Sequence, residues 1–492
     1  MPHFFFIFIF TIFFPISFVL SRTTPLPSQT TVLDVSFETQ KVQNVFFTDF
    51  NALNSLNQAE EVNPFEDSSS ALSFQLHSRL AIEGIGSHQD YESLFMTRLD
   101  RDSARFNSIL THLNLVVQGD GLANLKPEEE SELSSLEGME MPVVSGVSQG
   151  SGEYFSRVGI GYPPSQAFMV LDTGSDVNWV QCNPCADCYQ QADPIFEPGN
   201  SSTYHTMSCR ARQCQSLDVL ACVKDTCLYQ VSYGDGSYSV GELASETITF
   251  GGEGGASAAN IAIGCGHDNE GLFTGASGLL GLGGGDLSFQ SQINASSFSY
   301  CLVDRDTKST STLEFDSITS LDAIIAPLLR NLKTSTYHYV DLTGLSVGGQ
   351  PVPIPPSTLQ LKDNGDGGVI VDSGTAITRF PMEVYNALRE AFVKGTPDLT
   401  LTNGVAVFDT CYDLSQRKTV EIPTVSFRFS NGKEWSIPAK NYLVPIDSKG
   451  TFCFAFATTS SSMGIIGNVQ QQGTRVSFDL KNSLIGFSND KC

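Results

Sequence analysis

The chain has 492 residues and a formal net charge of −25, with 28 Lys and Arg against 53 Asp and Glu. A nucleic-acid-binding protein needs a basic face, and the sequence contains no run of basic residues, so that class is excluded. The acidity favours a soluble protein, and tolerance of acid is a second interpretation. The length is enough for about three domains of ordinary size.

The first 21 residues form an apolar segment at the N-terminus. The run Phe4–Leu20 is interrupted by Pro15 and followed by the small residue Ser21. This pattern predicts a secretory signal peptide, residues 1–21, although no Lys or Arg precedes the run. A membrane anchor is the alternative, disfavoured by the proline and by the short length. We therefore expect the secretory pathway, with an extracellular destination favoured and the ER or a vacuole as alternatives.

Residues 22–143 differ from the rest of the chain because they are acidic and contain no cysteine. The alternation over residues 72–76 predicts a strand. A helix is predicted from about residue 90 to 115, because apolar residues recur on one face. The members of that face are Leu99, Phe106, Leu110 and Leu113, and the basic residues Arg98, Arg101 and Arg105 lie on a neighbouring face.

The acidic run at residues 128–132 indicates an exposed linker. We interpret residues 22–143 as a detachable prosegment and linker, with the mature chain beginning between residues 138 and 150. A solvated N-terminal extension is the alternative.

From Pro142 onward, short strands and turns predominate. Tyr154–Gly161 and Ala167–Leu171 read as the two strands of a hairpin, joined through Tyr162–Ser165. The clearest helix is predicted from Pro381 to Lys394, where proline suits the first turn. The fold class is therefore mainly β.

One motif occurs twice, 200 residues apart. An apolar run leads into Asp172-Thr173-Gly174-Ser175, and another leads into Asp372-Ser373-Gly374-Thr375. Each is followed downstream by an apolar pair and a glycine, at Gly281 and at Gly467. The repeat predicts two similar lobes, each providing one aspartate turn to a shared site. Two neighbouring carboxylates can share one proton and activate a water molecule by general acid and base catalysis.

With these motifs, residues 150–492 resemble the pepsin-like aspartic proteases, and within them the nepenthesin-type plant branch. The resemblance implies a bilobal fold with a cleft between two related β lobes, residues 144–332 and 333–492. The first lobe would carry a cysteine-rich insertion at about 182–227 and a flap. The implied activity is that of an aspartic endopeptidase made as a zymogen and working at acidic pH.

The resemblance also implies residue roles. Asp172 and Asp372 would be catalytic, and the flap over the substrate would carry Tyr233, whose partner would be Trp179. Gly234 and Asp235 would complete the flap. The residues expected to support the catalytic loops are Thr173, Gly174, Ser175, Ser373, Gly374 and Thr375. In relatives a basic prosegment residue meets the catalytic carboxylates, which makes Arg98, Arg101 and Arg105 candidates here.

All 12 cysteines lie between Cys182 and Cys492, as expected for a disulfide framework in an exported protein. A zinc site at Cys182, Cys185 and Cys188 is the weaker alternative, because no second pair completes it. The resemblance implies the pairs Cys182–Cys185, Cys188–Cys265, Cys209–Cys227, Cys214–Cys222, Cys301–Cys492 and Cys411–Cys453. Asn200 and Asn294 open glycosylation triplets.

The expected partners are polypeptide substrates, pepstatin-type inhibitors and the protein's own prosegment, and the expected state is a monomer. No cofactor, metal or nucleic acid is expected. The alternative function is a catalytically weak binding or inhibitor protein of the plant cell wall on the same fold. A plastid, DNA-associated relative would need a basic region. His267-Asp268 lacks a serine partner for a triad, and Gly281–Gly285 lacks the Lys-Ser/Thr of a phosphate loop.

Overall fold

The structure is a computed structural model that describes residues 28–47, 72–80, 90–118, 154–233, 237–250, 256–271, 273, 275–307, 309–489 and 491–492. The predicted signal peptide and the acidic linker at 128–132 lie outside these residues. Within them the fold is mainly β, as predicted. No helix of the described part is both long and apolar enough to cross a membrane.

Strands alternate with short turns throughout the first half of the chain. In chain order they are β1 (Thr30–Asp34), β2 (Leu72–Ser78), β3 (Tyr154–Ile160), β4 (Ser165–Asp172), β5 (Trp179–Gln181), β6 (Asp187–Cys188), β7 (His205–Thr206), β8 (Leu220–Val223), β9 (Thr226–Ser232), β10 (Tyr238–Thr249), β11 (Ser257–Glu270), β12 (Gly278–Gly281), β13 (Ser297–Cys301), β14 (Thr310–Phe315) and β15 (Ile324–Leu329).

The second half of the chain shows the same alternation of strands and short turns. Its strands are β16 (Tyr339–Val340), β17 (Leu342–Val347), β18 (Gln350–Pro351), β19 (Val369–Val371), β20 (Thr378–Pro381), β21 (Thr400–Thr402), β22 (Cys411–Asp413), β23 (Thr419–Pro423), β24 (Val425–Phe429), β25 (Glu434–Ser436), β26 (Leu443–Pro445), β27 (Thr451–Phe454), β28 (Phe456–Thr459), β29 (Gly464–Ile466), β30 (Thr474–Asp479) and β31 (Leu484–Asn489).

Helices are few among the described residues. The longest is Tyr91–Gln118, which we name the cleft helix, and it covers the helix predicted over residues 90–115. The predicted helix near residue 381 runs Met382–Lys394, with Pro381 as its N-cap. The other α-helices are Val35–Phe47, Arg212–Gln215, Phe289–Gln292 and Asn468–Gln471, and 3₁₀ turns lie at Pro198–Asn200, Pro356–Leu359 and Ala439–Asn441.

The two aspartate turns occupy equivalent positions in the two halves. Strand β4 pairs in parallel with β12, so that Asp172 lies opposite Gly281. Strand β19 pairs in parallel with β29, so that Val371, just before Asp372, lies opposite Ile466. The apolar-apolar-Gly elements that follow each aspartate motif are therefore the strands beside it. This pairing fixes each aspartate at the end of a buried strand.

The N-terminal segment is built into this architecture. Strand β2 lies between β14 and β3, antiparallel to both. Strand β1 pairs with β23 in the second half of the chain. The cleft helix packs its apolar face on the second half, where Leu99 is buried near Ile377, and Phe106 is buried near Tyr337 and Ile465. The predicted strand at residues 72–76 is confirmed and extends to Ser78.

Candidate active site

Asp172 and Asp372 lie where the two halves of the chain meet the cleft helix. Both are almost fully buried. Each carboxylate accepts the same two hydrogen bonds from its own turn. Ser175 Oγ donates to Asp172 Oδ2 at 2.7 Å, and Thr375 Oγ1 donates to Asp372 Oδ2 at 2.6 Å.

Each of the two carboxylates also accepts a hydrogen bond from a backbone amide of its own turn. Gly174 N–H donates to Asp172 Oδ1 at 3.0 Å, and Gly374 N–H donates to Asp372 Oδ1 at 3.2 Å. A Cβ atom on Gly374 would lie 2.6 Å from Asp172 Oδ1, and one on Gly174 would lie 2.9 Å from Asp372 Oδ1. Glycine is therefore required at both turns, because each turn passes too close to the opposite carboxylate for any side chain.

The two turns are joined directly to each other. Thr173 N–H donates to Ser373 Oγ at 3.2 Å, and Ser373 N–H donates to Thr173 Oγ1 at 2.9 Å. Serine in the second turn thus forms the bond that a threonine would form. The reciprocal pair spans the two halves and fixes one carboxylate relative to the other.

Trp179 and Tyr233 are also in contact, because Trp179 Nε1–H donates to Tyr233 Oη at 3.1 Å. The Tyr233 ring lies against Phe273, with 5.2 Å between ring centroids. Gly234 and Asp235, the other residues assigned to the flap, lie outside the described residues.

The guanidinium of Arg105, on the cleft helix, lies between the two carboxylates. Its Nη2 is 2.6 Å from Asp172 Oδ1, and its Nε is 3.6 Å from Asp372 Oδ2. The Arg105 side chain is only 4% exposed, so the ion pairs are shielded from water. The helix therefore covers both carboxylates and places a positive charge where they come together.

Burial and charge act together on these groups. Burial raises the pKa of the Asp172 carboxyl, Arg105 opposes that shift, and Asp372 reinforces it. Burial alone would lower the pKa of Arg105, but Asp172 and Asp372 outweigh it and raise that pKa. Because the pKa of Asp172 is raised, its ion pair with Arg105 loses its negative partner as the pH falls.

Of the three arginines proposed from the sequence, Arg105 is the one that reaches Asp172 and Asp372. Arg98 pairs instead with Asp306, at 2.7 Å between Nη1 and Oδ1. Arg101 is buried. The structure thus separates residues that the helical periodicity placed together on one face.

A second ionic contact, which the sequence interpretation missed, lies one turn before Arg105. The carboxylate of Asp102 pairs with the Arg379 guanidinium and accepts N–H bonds from Ala376 and Ile377. Asp102 is three residues from Arg105, and Arg379 is four residues after Thr375. Each residue thus lies close in sequence to a residue of the predicted site, and that closeness was the available signal. Only the fold brings Asp102 and Arg379 together.

The implied disulfide pairings in the insertion are wrong. The structure pairs Cys182 with Cys265, because β5 runs parallel to β11 and places Val180 opposite Cys265. Cys185 and Cys188 then close a short turn. The pairs Cys182–Cys185 and Cys188–Cys265 are therefore replaced by Cys182–Cys265 and Cys185–Cys188.

The other two bridges of the insertion also differ from expectation. Cys222 and Cys227 lie directly opposite each other in the β8–β9 hairpin, and each is bonded to the preceding loop. The bonds are Cys209–Cys222 and Cys214–Cys227, not Cys209–Cys227 and Cys214–Cys222. Cys301–Cys492 and Cys411–Cys453 form as the resemblance implies. Asn200 and Asn294 are both exposed, and their glycosylation stays a prediction.

Two family models match the chain, one in each half. Residues 154–316 match the model described as "Xylanase inhibitor N-terminal", and residues 337–489 match "Xylanase inhibitor C-terminal". Together they cover more than half of the chain, and strand β15 lies in the gap between them.

Curated relatives from plants match most of the chain. "Aspartyl protease family protein 2" of Arabidopsis thaliana is 47% identical over 84% of this chain and 84% of its own length. "Protein ASPARTIC PROTEASE IN GUARD CELL 2" of Arabidopsis thaliana is 42% identical over 87% and 89%. "Aspartic proteinase nepenthesin-2" of Nepenthes gracilis is 39% identical over 73% and 82%.

Solved structures agree on the fold. "Crystal structure of edgp" matches with a TM-score of 0.58 and 21% identity over 70% of this chain and 92% of that one. "Crystal structure of conglutin gamma, a unique basic 7S globulin from lupine seeds" matches with a TM-score of 0.55, also at 21% identity, over 69% and 92%. At this identity the likeness shows the bilobal fold alone.

Proposed function

The chain belongs to the pepsin-like aspartic proteases of plants, and we propose that it is a secreted-pathway endopeptidase, made as a zymogen, whose catalytic groups are Asp172 and Asp372. The observation that carries the proposal is the pair of matching carboxylates with Arg105 between them. Each carboxylate keeps one serine or threonine hydroxyl and one glycine amide as donors.

In the mechanism that this geometry supports, the two carboxylates share one proton, because both cannot ionise cheaply at short range. The ionised carboxylate takes a proton from a water molecule held between them, and the water attacks the peptide carbonyl. The protonated carboxyl donates a hydrogen bond to the oxygen that becomes negative. The apparent pKa values belong to the pair. Polypeptides are the substrates expected of this family.

The same site supports a latent form. Arg105 lies where the water and the peptide carbonyl would have to be, so the site with the cleft helix in place cannot turn over substrate. Arg105 acts to lower the pKa of Asp172, so docking of the helix favours the ionised carboxylate. Protonation of Asp172 as the pH falls removes this partner of Arg105 and weakens the hold on the helix. Residues 22–143 are accordingly proposed as prosegment and linker, residues 144–332 and 333–492 as the two lobes.

Export is proposed on two observations. The N-terminal apolar run has the features of a signal peptide, and the twelve cysteines form six bridges. Expression of the full chain in plant cells, followed by N-terminal sequencing of the wall and medium fractions, tests this. An N-terminus at or after residue 22 in those fractions is expected, and retention of residues 1–21 would contradict it.

The activity is tested by digesting a denatured protein between about pH 3 and 5 after acid treatment of the full chain. Cleavage that pepstatin blocks is expected from the wild type. Asp172→Asn should reduce it by several orders of magnitude, because the shared proton and general base are lost. The isosteric change keeps the hydrogen-bonded turn, so circular dichroism should be unaltered. Equal cleavage by Asp172→Asn would contradict the assignment.

A binding or inhibitor protein of the plant cell wall is the second candidate, favoured by the descriptions of the two matching family models. The intact set of donors around both carboxylates argues against it, since a binding protein has no need of them. Absence of pepstatin-sensitive cleavage, together with inhibition of a cell-wall xylanase by the purified chain, would favour this candidate.

A further inference from the structure

We propose that Arg379, with the amides of Ala376 and Ile377, forms a subsite in the active cleft that binds a carboxylate side chain of the substrate. The proposal rests on the endopeptidase function proposed above and adds a specificity to it. In the present structure the subsite is filled by Asp102 of the cleft helix, which stands in for an acidic residue of a polypeptide substrate.

The site is a built carboxylate receptor. Asp102 Oδ1 accepts N–H bonds from Ala376 at 2.6 Å and from Ile377 at 2.8 Å. Asp102 Oδ2 pairs with Nη1 of Arg379. Both side chains are at most 4% exposed. Two amides and a guanidinium converging on one carboxylate are the strong, charge-assisted hydrogen bonds with which proteins recognise carboxylates.

Among the described residues, the side-chain partners of the Arg379 guanidinium all belong to the cleft helix. Besides Asp102, Ser103 Oγ lies 3.3 Å from Nη2, and the Phe106 ring lies under the guanidinium with 4.6 Å between its centroid and Cζ. The remaining contact is to the carbonyl of Ile377, at 3.4 Å. Departure of the helix therefore opens this site to the cleft.

An open site of this composition favours an anion. Arginine stays protonated at every working pH, and its planar fork fits a carboxylate with two donors. A partly buried guanidinium is destabilised when it has no negatively charged partner. A substrate carrying Glu or Asp at the matching position restores the partner that Asp102 supplied, whereas a neutral side chain does not.

The subsite lies beside the reacting groups. Ala376 follows Thr375, whose hydroxyl bonds to Asp372. On the cleft helix, Asp102 precedes Arg105 by three residues, a separation of about 5–6 Å on a helix face. An extended peptide covers that distance in about two residues. We therefore place the acidic side chain within a few residues of the scissile bond.

The test uses the full chain, activated by acid, and pairs of peptides that differ only in Glu or Gln. The Glu/Gln pair is moved through each of the four positions on either side of a scissile bond identified in the digestion of the denatured protein. At about pH 5.5, where Glu is ionised, kcat/KM should be about tenfold higher for the Glu peptide at one position. The preference should disappear at about pH 3, where Glu is protonated.

Three variants test whether Arg379 causes the preference for Glu over Gln. Arg379→Gln should bring the Glu-to-Gln ratio to about one, and Arg379→Lys should retain part of the preference. Arg389→Gln is the control. It removes a half-buried arginine of the helix Met382–Lys394 that pairs with Asp409, and it should leave the Glu-to-Gln ratio unchanged. A ratio near one in the wild type at every position overturns the inference and leaves the proposed protease function intact.

A binding measurement separates the two proposals. A synthetic peptide of residues 98–110 and its Asp102→Asn form are titrated into the activated Asp172→Asn chain, in which turnover is not needed. The Asp form should bind about tenfold tighter, and Arg379→Gln should abolish the difference. Equal binding of the two forms overturns the inference, whereas loss of cleavage with unequal binding overturns only the protease assignment.

Discussion

Strand β2 and the cleft helix belong to the same N-terminal segment, but they contact the rest of the protein in different ways. The strand pairs its backbone with β3 and β14, and its Phe74 ring packs against Phe250, at 4.3 Å between centroids, and against Phe289 and Phe315. The helix also packs apolar side chains such as Leu99 and Phe106, but it adds ion pairs through Arg98, Asp102 and Arg105.

Backbone pairing and apolar packing depend little on pH, whereas carboxylate ion pairs depend strongly on it. The comparison teaches that one segment can be held both by contacts that tolerate acid and by contacts that acid weakens. In the proposed zymogen, acid should loosen the helix from the cleft before it dislodges the strand from the sheet. The following predictions test that order.

The largest effect is expected from Arg105→Ala in the full chain. It leaves two buried carboxylates without their cation, which costs about 3–5 kcal/mol of helix docking. Proteolysis without acid treatment should then be measurable at about pH 6, where the wild type stays latent. Arg212→Ala, which removes an exposed ion pair with Asp286, is the control and should keep latency. Unchanged latency in Arg105→Ala would contradict the role of this residue.

Phe74→Ala tests whether the packing of strand β2 is independent of pH. Removing a buried aromatic ring should lower the free energy of unfolding by about 3 kcal/mol, measured by urea denaturation. The loss should be the same at pH 7 and at pH 4, because no titratable group is involved. Phe37→Ala, at a side chain that is 60% exposed, should change stability little. If the loss of unfolding free energy in Phe74→Ala differed between pH 7 and pH 4, the contrast between an acid-tolerant strand and an acid-sensitive helix would be wrong.

Arg98→Gln tests whether every ion pair of the helix is a release point. Burial acts to raise the pKa of Asp306, but Arg98, Arg305 and Lys41 outweigh it and hold that pKa well below its usual range. This stabilisation is therefore lost only when the pH falls below the ordinary range of an Asp. The variant should weaken docking by about 2 kcal/mol equally at pH 7 and pH 4, measured by hydrogen exchange of the helix.

In contrast, the pair of Arg105 with Asp172 should weaken within that pH range, because the pKa of Asp172 is raised. Hydrogen exchange in the wild type should therefore show the turn around Arg105 opening at a higher pH than the turn around Arg98. Simultaneous opening of both turns would show that the helix leaves as one unit.

The smallest effect is expected from His77→Phe on strand β2. His77 is buried against Phe168, neither ring nitrogen has a hydrogen-bond partner among the described residues, and burial together with Arg157 lowers its pKa. The free strand therefore takes up a proton more readily than the docked one, and docking weakens as the pH falls below about 6.5. His77→Phe should remove this weakening.

The measurement is the pH dependence of urea unfolding between pH 7 and 4.5, in which His77→Phe should flatten the profile by about 1 kcal/mol. His205→Phe, at an exposed position of β7, serves as the control and should leave the profile as it is. A profile unaltered by His77→Phe would leave the helix as the acid-sensitive part of the segment.

Much of the site could be predicted from the sequence because its parts are local. Each aspartate turn is a short motif after an apolar run, and the repeat joins the two motifs without knowledge of the fold. Arg105 lay among three candidates because a helical pattern restricts which residues share a face. The choice among them depends on the distance to Asp306 or Asp172, which is set by tertiary packing.

Other parts could not be predicted because several long-range arrangements fit the same spacing. Cys209–Cys222 and Cys214–Cys227 are both 13 residues apart. The alternative pairs are 18 and 8 residues apart, and loops of all these lengths can be closed by a disulfide. Only the β8–β9 hairpin and the loop before it decide between them. Likewise, Asp102 and Arg379 are 277 residues apart, and no local pattern relates them.

The reciprocal bonds between Thr173 and Ser373 also have a consequence for biosynthesis. Asp172 leaves the ribosome 200 residues before Asp372, which at ordinary rates of translation is about 10–40 s. Throughout that interval the first turn lacks the partner that fixes its geometry. A nascent chain therefore holds only half of the proposed catalytic centre. If the assignment of Asp172 and Asp372 is right, the cell is protected from proteolysis during synthesis without any contribution from the covering helix.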